Sequence, residues 1–135
     1  MKINYRSVST SHVYMATLGG LILVIQPSLL FAILDIDSVP AVTFVARLFG
    51  AFLIGLAAAI YSTRDLTGEN IPLVLVIGNA CVDFVTTLIF LEASLAGTLN
   101  NIGFILAGAF FMNLISWAIV LFQYSQHKKA PLKST

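Results

Sequence analysis

Apolar positions along the chain fall into four long runs separated by short polar stretches, at 13–34, 41–61, 71–91 and 102–124. Each run has the roughly 20 residues that, at about 1.5 Å per residue, cross a hydrocarbon core of about 30 Å. The pattern therefore predicts four transmembrane helices. Asp35, Asp37, Ser38 and Pro40 separate the first two runs. The stretch from Ser62 to Pro72, with Gly68 and Asn70, separates the second from the third, and Glu92 to Asn101, with Gly97, separates the last two. These are turn-forming residues, and the connections are too short to hold a second domain. Short connections favour antiparallel neighbours, so the expected fold class is all-α: an integral membrane four-helix up-down bundle over 13–124, between an N-terminal segment 1–12 and a basic tail 125–135.

Lys2 and Arg6 ahead of an apolar run resemble the start of a secretory signal. The run is longer than a signal core, however, and no small-x-small pattern closes it before Asp35, so it is read as a retained first helix. The basic residues Lys2, Arg6, Arg64, Lys128, Lys129 and Lys133 all fall before the first run, between the second and third, or after the fourth. By the positive-inside rule both termini are expected to be cytoplasmic, with Tyr14, Tyr61 and Tyr124 as interfacial anchors at that side.

Composition agrees with this reading. Of the 135 residues 59% are hydrophobic and 10% charged, with a mean hydropathy of +0.96, an excess that a soluble fold of this length could not bury and a disordered chain would not carry. Seven Lys and Arg against six Asp and Glu leave no field for nucleic acid. One cysteine, Cys81, rules out an internal disulfide, and with two histidines it cannot supply a four-ligand zinc site. No cofactor is implied. Asp35 and Asp37 fall well short of a calcium ligand set and read as a solvated turn.

Within the runs stand two formal charges, Arg47 and Asp83, and three amides, Gln26, Asn79 and Asn113. A charge near the middle of a membrane helix costs about 2.5 to 3.5 kcal/mol, so such residues are expected to face the interior and a partner. Counting inward from the outer ends puts Arg47 about 9 Å deep and Asp83 and Gln26 about 12 Å, with Asn79 and Asn113 nearer the midplane at about 18 and 16 Å. Helical spacing groups Asn79, Asp83 and Thr86 on one face, Thr43, Arg47, Gly50 and Ile54 on another, His12, Met15, Gly19, Ile22 and Gln26 on a third, and Leu106, Phe110, Asn113, Trp117 and Val120 on the fourth. The expectation is a buried polar cluster of Gln26, Arg47, Asn79, Asp83 and Asn113, with Arg47 paired to Asp83 and Gln26 beside them. Such a cluster is either interhelical glue or a binding site or ion path.

Pro27 is expected to kink the first helix. Small residues at Ala51, Gly55 and Ala59, at Ala46 and Gly50, and at Gly103 and Ala107 suit close helix contacts, within the bundle or between copies. Cys81 reads as a small apolar filler, and His12 and His127 as solvated residues flanking the spans.

The run Ala46-Arg47-Leu48-Phe49-Gly50-Ala51, followed by Leu53, Gly55 and Leu56 and preceded by Pro27, resembles small four-span bacterial membrane proteins of DoxX-like layout. The resemblance implies the span pattern and a bacterial cytoplasmic (inner) membrane; it carries no activity onto particular residues. Small multidrug transporters share the size and span count, but their first-helix Glu has no counterpart here, where only Gln26 stands.

The sequence favours a non-enzymatic protein, an accessory or assembly subunit whose partners are the lipid bilayer and either another membrane protein or further copies of itself. The alternative is a small transporter or channel with a polar route around Arg47 and Asp83. A membrane enzyme would need Asp83 as acid or base, a role at odds with a neighbouring Arg47.

Overall fold

A computed structural model describes residues 4–129, and within them every side chain but those of Glu69, His127, Lys128 and Lys129. Lys2, Lys133 and most of the expected basic tail lie outside the described residues. So does the expectation for His127, whose side chain is not described. The described chain is helical throughout: α1 (Tyr5–Ile25), α2 (Pro27–Leu34), α3 (Pro40–Thr63), α4 (Leu73–Leu95) and α5 (Ile102–Lys129), with one 3₁₀ turn at Gly68–Asn70. Four of these helices, all but the short α2, are long and apolar enough to cross a membrane. The chain is a small multi-pass membrane protein.

Local chemistry sets the helix ends. The Asn4 side chain accepts from the Ser7 amide at 2.9 Å while Ser7 Oγ accepts from the Asn4 amide at 3.1 Å, a reciprocal cap that starts α1 eight residues before the predicted span. Helix α1 stops at Gln26 (φ −144°, ψ 67°), because Pro27 has no N–H to give and disfavours helical geometry in the residue before it. Pro27 then opens α2, so the expected kink is a full break. Asp35 closes α2 in the left-handed region at φ 61°. At the end of α4, Gly97 at φ 72° donates to Ser94 and Thr98 donates to Ala93, a Schellman motif that satisfies the last carbonyls. Asn100 then ties two elements together, donating to the Ile33 carbonyl at 2.7 Å and accepting from the Ile102 amide at 3.0 Å.

Helix α1 packs along α3 and α4 along α5, while α1 also touches α5. Two glycines permit the first of these contacts. A Cβ on Gly20 would stand 2.8 Å from the Gly50 carbonyl oxygen, and one on Gly50 would stand 2.7 Å from that of Gly20. The Tyr5 hydroxyl and Thr63 Oγ1, 2.8 Å apart, close the other end of the pair, so α1 and α3 run antiparallel. In the second pair Gly103 lies against the Ser94 side chain, and Phe90 stacks on Phe110 with centroids 5.7 Å apart. Tyr5, Val8, Val76, Trp117 and Val120 form the apolar core where α1, α4 and α5 meet.

Candidate functional site

Directly beside that core the chain buries polar groups. On α1, Tyr5, Ser9, His12 and Ala16 recur at helical spacing and are all buried. On α4, Val76, Asn79 and Asp83 do the same, and α5 contributes Trp117. Asp83 and Ser9 have no exposed surface, and Asn79, His12 and Trp117 retain at most a few per cent. His12 Nδ1 and Asp83 Oδ2 stand 4.0 Å apart. The Trp117 ring meets His12 edge-on with centroids 5.6 Å apart and lies 6.3 Å from the Tyr5 ring.

The arrangement leaves much hydrogen-bonding capacity unused. Ser9 Oγ, His12 Nδ1 and Asn79 Oδ1 are buried without a hydrogen-bond partner, and the Asp83 carboxylate and the Trp117 indole N–H lie close enough to act on each other without a well-formed bond. What bonds exist are local to α4: Asn79 Nδ2 donates to the Leu75 carbonyl and Thr87 Oγ1 donates to the Asp83 carbonyl, each at 2.7 Å. A buried polar atom left unmet costs about 1 to 3 kcal/mol, so their concentration at one level is expensive unless it serves chemistry. Chemically, a carboxyl and an imidazole at this separation can share a proton once the gap closes by about 1 Å.

Only part of the predicted cluster comes together. Asn79 and Asp83 are buried as expected, and Trp117 and Val120 of the predicted α5 face point inward. Asn113, half-buried, reaches α1 through Met15 Sδ at 3.7 Å. Arg47 and Gln26 are exposed instead. Among the described residues Arg47 makes no ion pair with Asp83. The reason is packing: α3 lies on α1, whereas Asp83 is on α4 and faces α1 and α5, so matched depth does not make the two residues neighbours. Gln26 is exposed because its row, through Met15, Gly19 and Ile22, runs beside the face that α1 buries, which passes through His12, Ala16, Gly20 and Leu23.

His12 takes the place expected of Arg47, and the reading of it as solvated is corrected; within the segment 1–12, residues 5–12 belong to α1. Both errors come from taking the first apolar residue as the start of the helix. The signal was present in the spacing of Tyr5, Ser9, His12 and Ala16 behind the Asn4-to-Ser7 cap. Cys81 is exposed on α4, so it fills no interior space.

At the end of the bundle carrying Arg6 and Arg64 lies a cleft of about 270 Å³ bounded by Asn4, Arg6, Thr67, Gln123 and Tyr124, with Tyr5 and Val120 also lining it. Those last two residues belong to the core that holds Trp117, so the cleft ends one layer of side chains from His12. Nearby, Asp65 bridges Arg6 at 3.1 Å and Arg64 at 3.5 Å, and the Arg64 guanidinium lies 3.9 Å over the Tyr61 ring. Comparison of the chain with protein-family models, curated sequences and solved structures gave no match.

Proposed function

We propose that this membrane protein is a small proton-handling transporter or channel whose exchanging groups are Asp83 and His12. The four spans are arranged up and down in a bacterial cytoplasmic membrane with both termini on the cytoplasmic side, as the distribution of Lys and Arg argues. One observation carries the reading: a fully buried Asp83 carboxyl faces the Trp117 indole and an imidazole at 4.0 Å, with no closely formed hydrogen bond to either. Ionisable residues inside membrane spans characteristically mark ion paths and proton relays. A proton moving from Asp83 Oδ2 to His12 Nδ1 converts a neutral pair into an ion pair, and its return restores the neutral pair. Neither step needs a cofactor. The cleft floored by Tyr5 and Val120 offers the approach from the cytoplasmic side.

The second reading, an accessory or assembly subunit, is favoured by the uncovered outer face of α3, where Arg47 is exposed. Reconstitution separates the two. Vesicles carrying the wild-type protein are expected to dissipate an imposed pH gradient faster than empty vesicles, and Asp83→Asn is expected to return the rate to the empty-vesicle value while melting temperature and helix content are kept. A wild-type rate no faster than that of empty vesicles, or an Asp83→Asn rate equal to the wild type, overturns the proposal. A partner co-purifying in fixed ratio, without proton flux, would support the accessory role instead.

A further inference from the structure

Two exposed charges of opposite sign lie on helices that leave a face uncovered. Arg47 on α3 and Glu92 on α4 are both exposed, and among the described residues neither makes an ion pair. Arg47 follows the start of α3 at Pro40 by about 10 Å, and Glu92 precedes the end of α4 at Leu95 by about 5 Å. Both ends belong to the same side of the bundle. Helix α1 is antiparallel to α3, through Tyr5 with Thr63 and Gly20 with Gly50, and parallel to α4, through Tyr5 with Val76 and His12 with Asp83. The flexible arginine stem spans the remaining difference in depth.

The surroundings of the two charges match in shape. Arg47, Ala51, Gly55 and Ala58 follow one another along a single exposed face of α3, and a Cβ on Gly55 would meet nothing within 4 Å. Cys81, Val85, Leu88 and Glu92 share one exposed face of α4, where Leu88, Leu91, Glu92, Leu95 and Ala96 also border an open depression. One face is low and the other is a ridge of larger apolar side chains, the combination that lets membrane helices approach closely.

We propose that copies of this chain associate in the membrane head to tail, α3 of one against α4 of the next, with Arg47 paired to Glu92 of the adjacent copy. A two-fold axis along the membrane normal would pair Arg47 with Glu92 in both directions only if the two faces formed one continuous patch, whereas α3 packs on α1 and α4 on α5, so the two charges stand on different helix pairs. A contact between two different faces repeats from copy to copy, giving a ring where the rotation closes and an open array where it does not. Since α3 and α4 of adjacent copies run antiparallel, register follows from depth: Gly55 of one copy, about 22 Å from the start of α3, lies level with Cys81 of the next, about 21 Å from the end of α4.

The test uses the native cysteine in the full chain, in vesicles. Gly55→Cys, whose Cβ position is open, is expected to form disulfide-linked dimers and higher multiples under mild oxidation, while the wild type, with Cys81 alone, forms none. Adding Arg47→Glu should lower the linked fraction by about tenfold, equivalent to about 1.4 kcal/mol of association, and adding Glu92→Arg as well should restore it. Melting temperature in detergent confirms that each variant is folded. Three results would overturn the proposal: no multimers from folded Gly55→Cys, Cys81-to-Cys81 dimers in the wild type, or linkage indifferent to Arg47→Glu. A monomeric mass for the wild type in native membrane extracts, with lipid bound at Arg47, would do the same.

Discussion

His12 Nδ1 stands 4.0 Å from Asp83 Oδ2, a separation too long for a hydrogen bond and too short for either group to ignore the other's charge. Helices α1 and α4 hold the two side chains against Trp117 with almost no exposed surface. The position of the pair defines the molecule's chemistry, and its incomplete bonding bears on stability.

A pair kept for function rather than stability should be replaceable without loss of fold. Asp83→Asn combined with His12→Gln removes both ionisable groups at nearly constant volume. It is expected to leave unfolding free energy in detergent unchanged to within about 1 kcal/mol, since the amides keep the site polar and remove only its exchangeable ionisation. Denaturant or thermal unfolding checks this, and a clear loss of stability would assign the pair a structural role.

The Gly20 and Gly50 crossing makes a sharper packing prediction. Either glycine changed to alanine puts a methyl group within 3 Å of the opposite carbonyl oxygen, and overpacking of this kind costs about 1 to 3 kcal/mol. The adjacent Gly19 has open space around its Cβ position, so Gly19→Ala should be neutral or stabilising by up to about 1 kcal/mol from helix propensity. Melting temperatures of the three single variants decide it.

Tyr5 couples two functions of α1, walling the cleft and bonding to α3. Tyr5→Phe deletes the 2.8 Å contact with Thr63 Oγ1 and should cost about 0.5 to 1.5 kcal/mol, and Thr63→Val a similar amount. In the double variant the losses should not add, because both remove the same bond. Additive losses would show that the contact contributes nothing.

Asn100 holds the far end of the bundle. Asn100→Ala loses both the donation to Ile33 and the acceptance from the Ile102 amide, and should destabilise by about 1 to 2 kcal/mol. Asn100→Asp keeps the acceptor and should recover part of that loss. Equal melting temperatures for the wild type and both variants would contradict this role.

How much of this was legible in the sequence depends on the dimension in which the signal lies. Hydropathy is a signal along the chain: it locates the last three spans to within about five residues, while Pro27 and Gly97 mark the bend and the turn by their own backbone chemistry. Depth is also a signal along the chain, which is why Asp83 was correctly expected inside. Which helix faces which is a property of the cross-section, and short loops made α3 and α4 look like neighbours when α3 packs on α1. Arg47 was therefore paired with Asp83 when His12 is the residue nearby. The start of α1 was missed for a different reason. Tyr5, Ser9 and His12 are covered by protein rather than lipid, so their burial needs no hydrophobic run, only helical spacing behind a cap. Gln26 shows the converse: its spacing fits a row through Met15, Gly19 and Ile22, but α1 buries the neighbouring row through Ala16, Gly20 and Leu23.

The central claim is that Asp83 and His12 exchange protons as a coupled pair. Infrared difference spectroscopy of the protein in lipid, titrated across the pH range in which it stays folded, reads the carboxyl group directly. The account predicts a carboxyl band that changes with pH, is absent in Asp83→Asn, and titrates at a different pH in His12→Gln. A band that never changes, or one that titrates identically with and without His12, would contradict it.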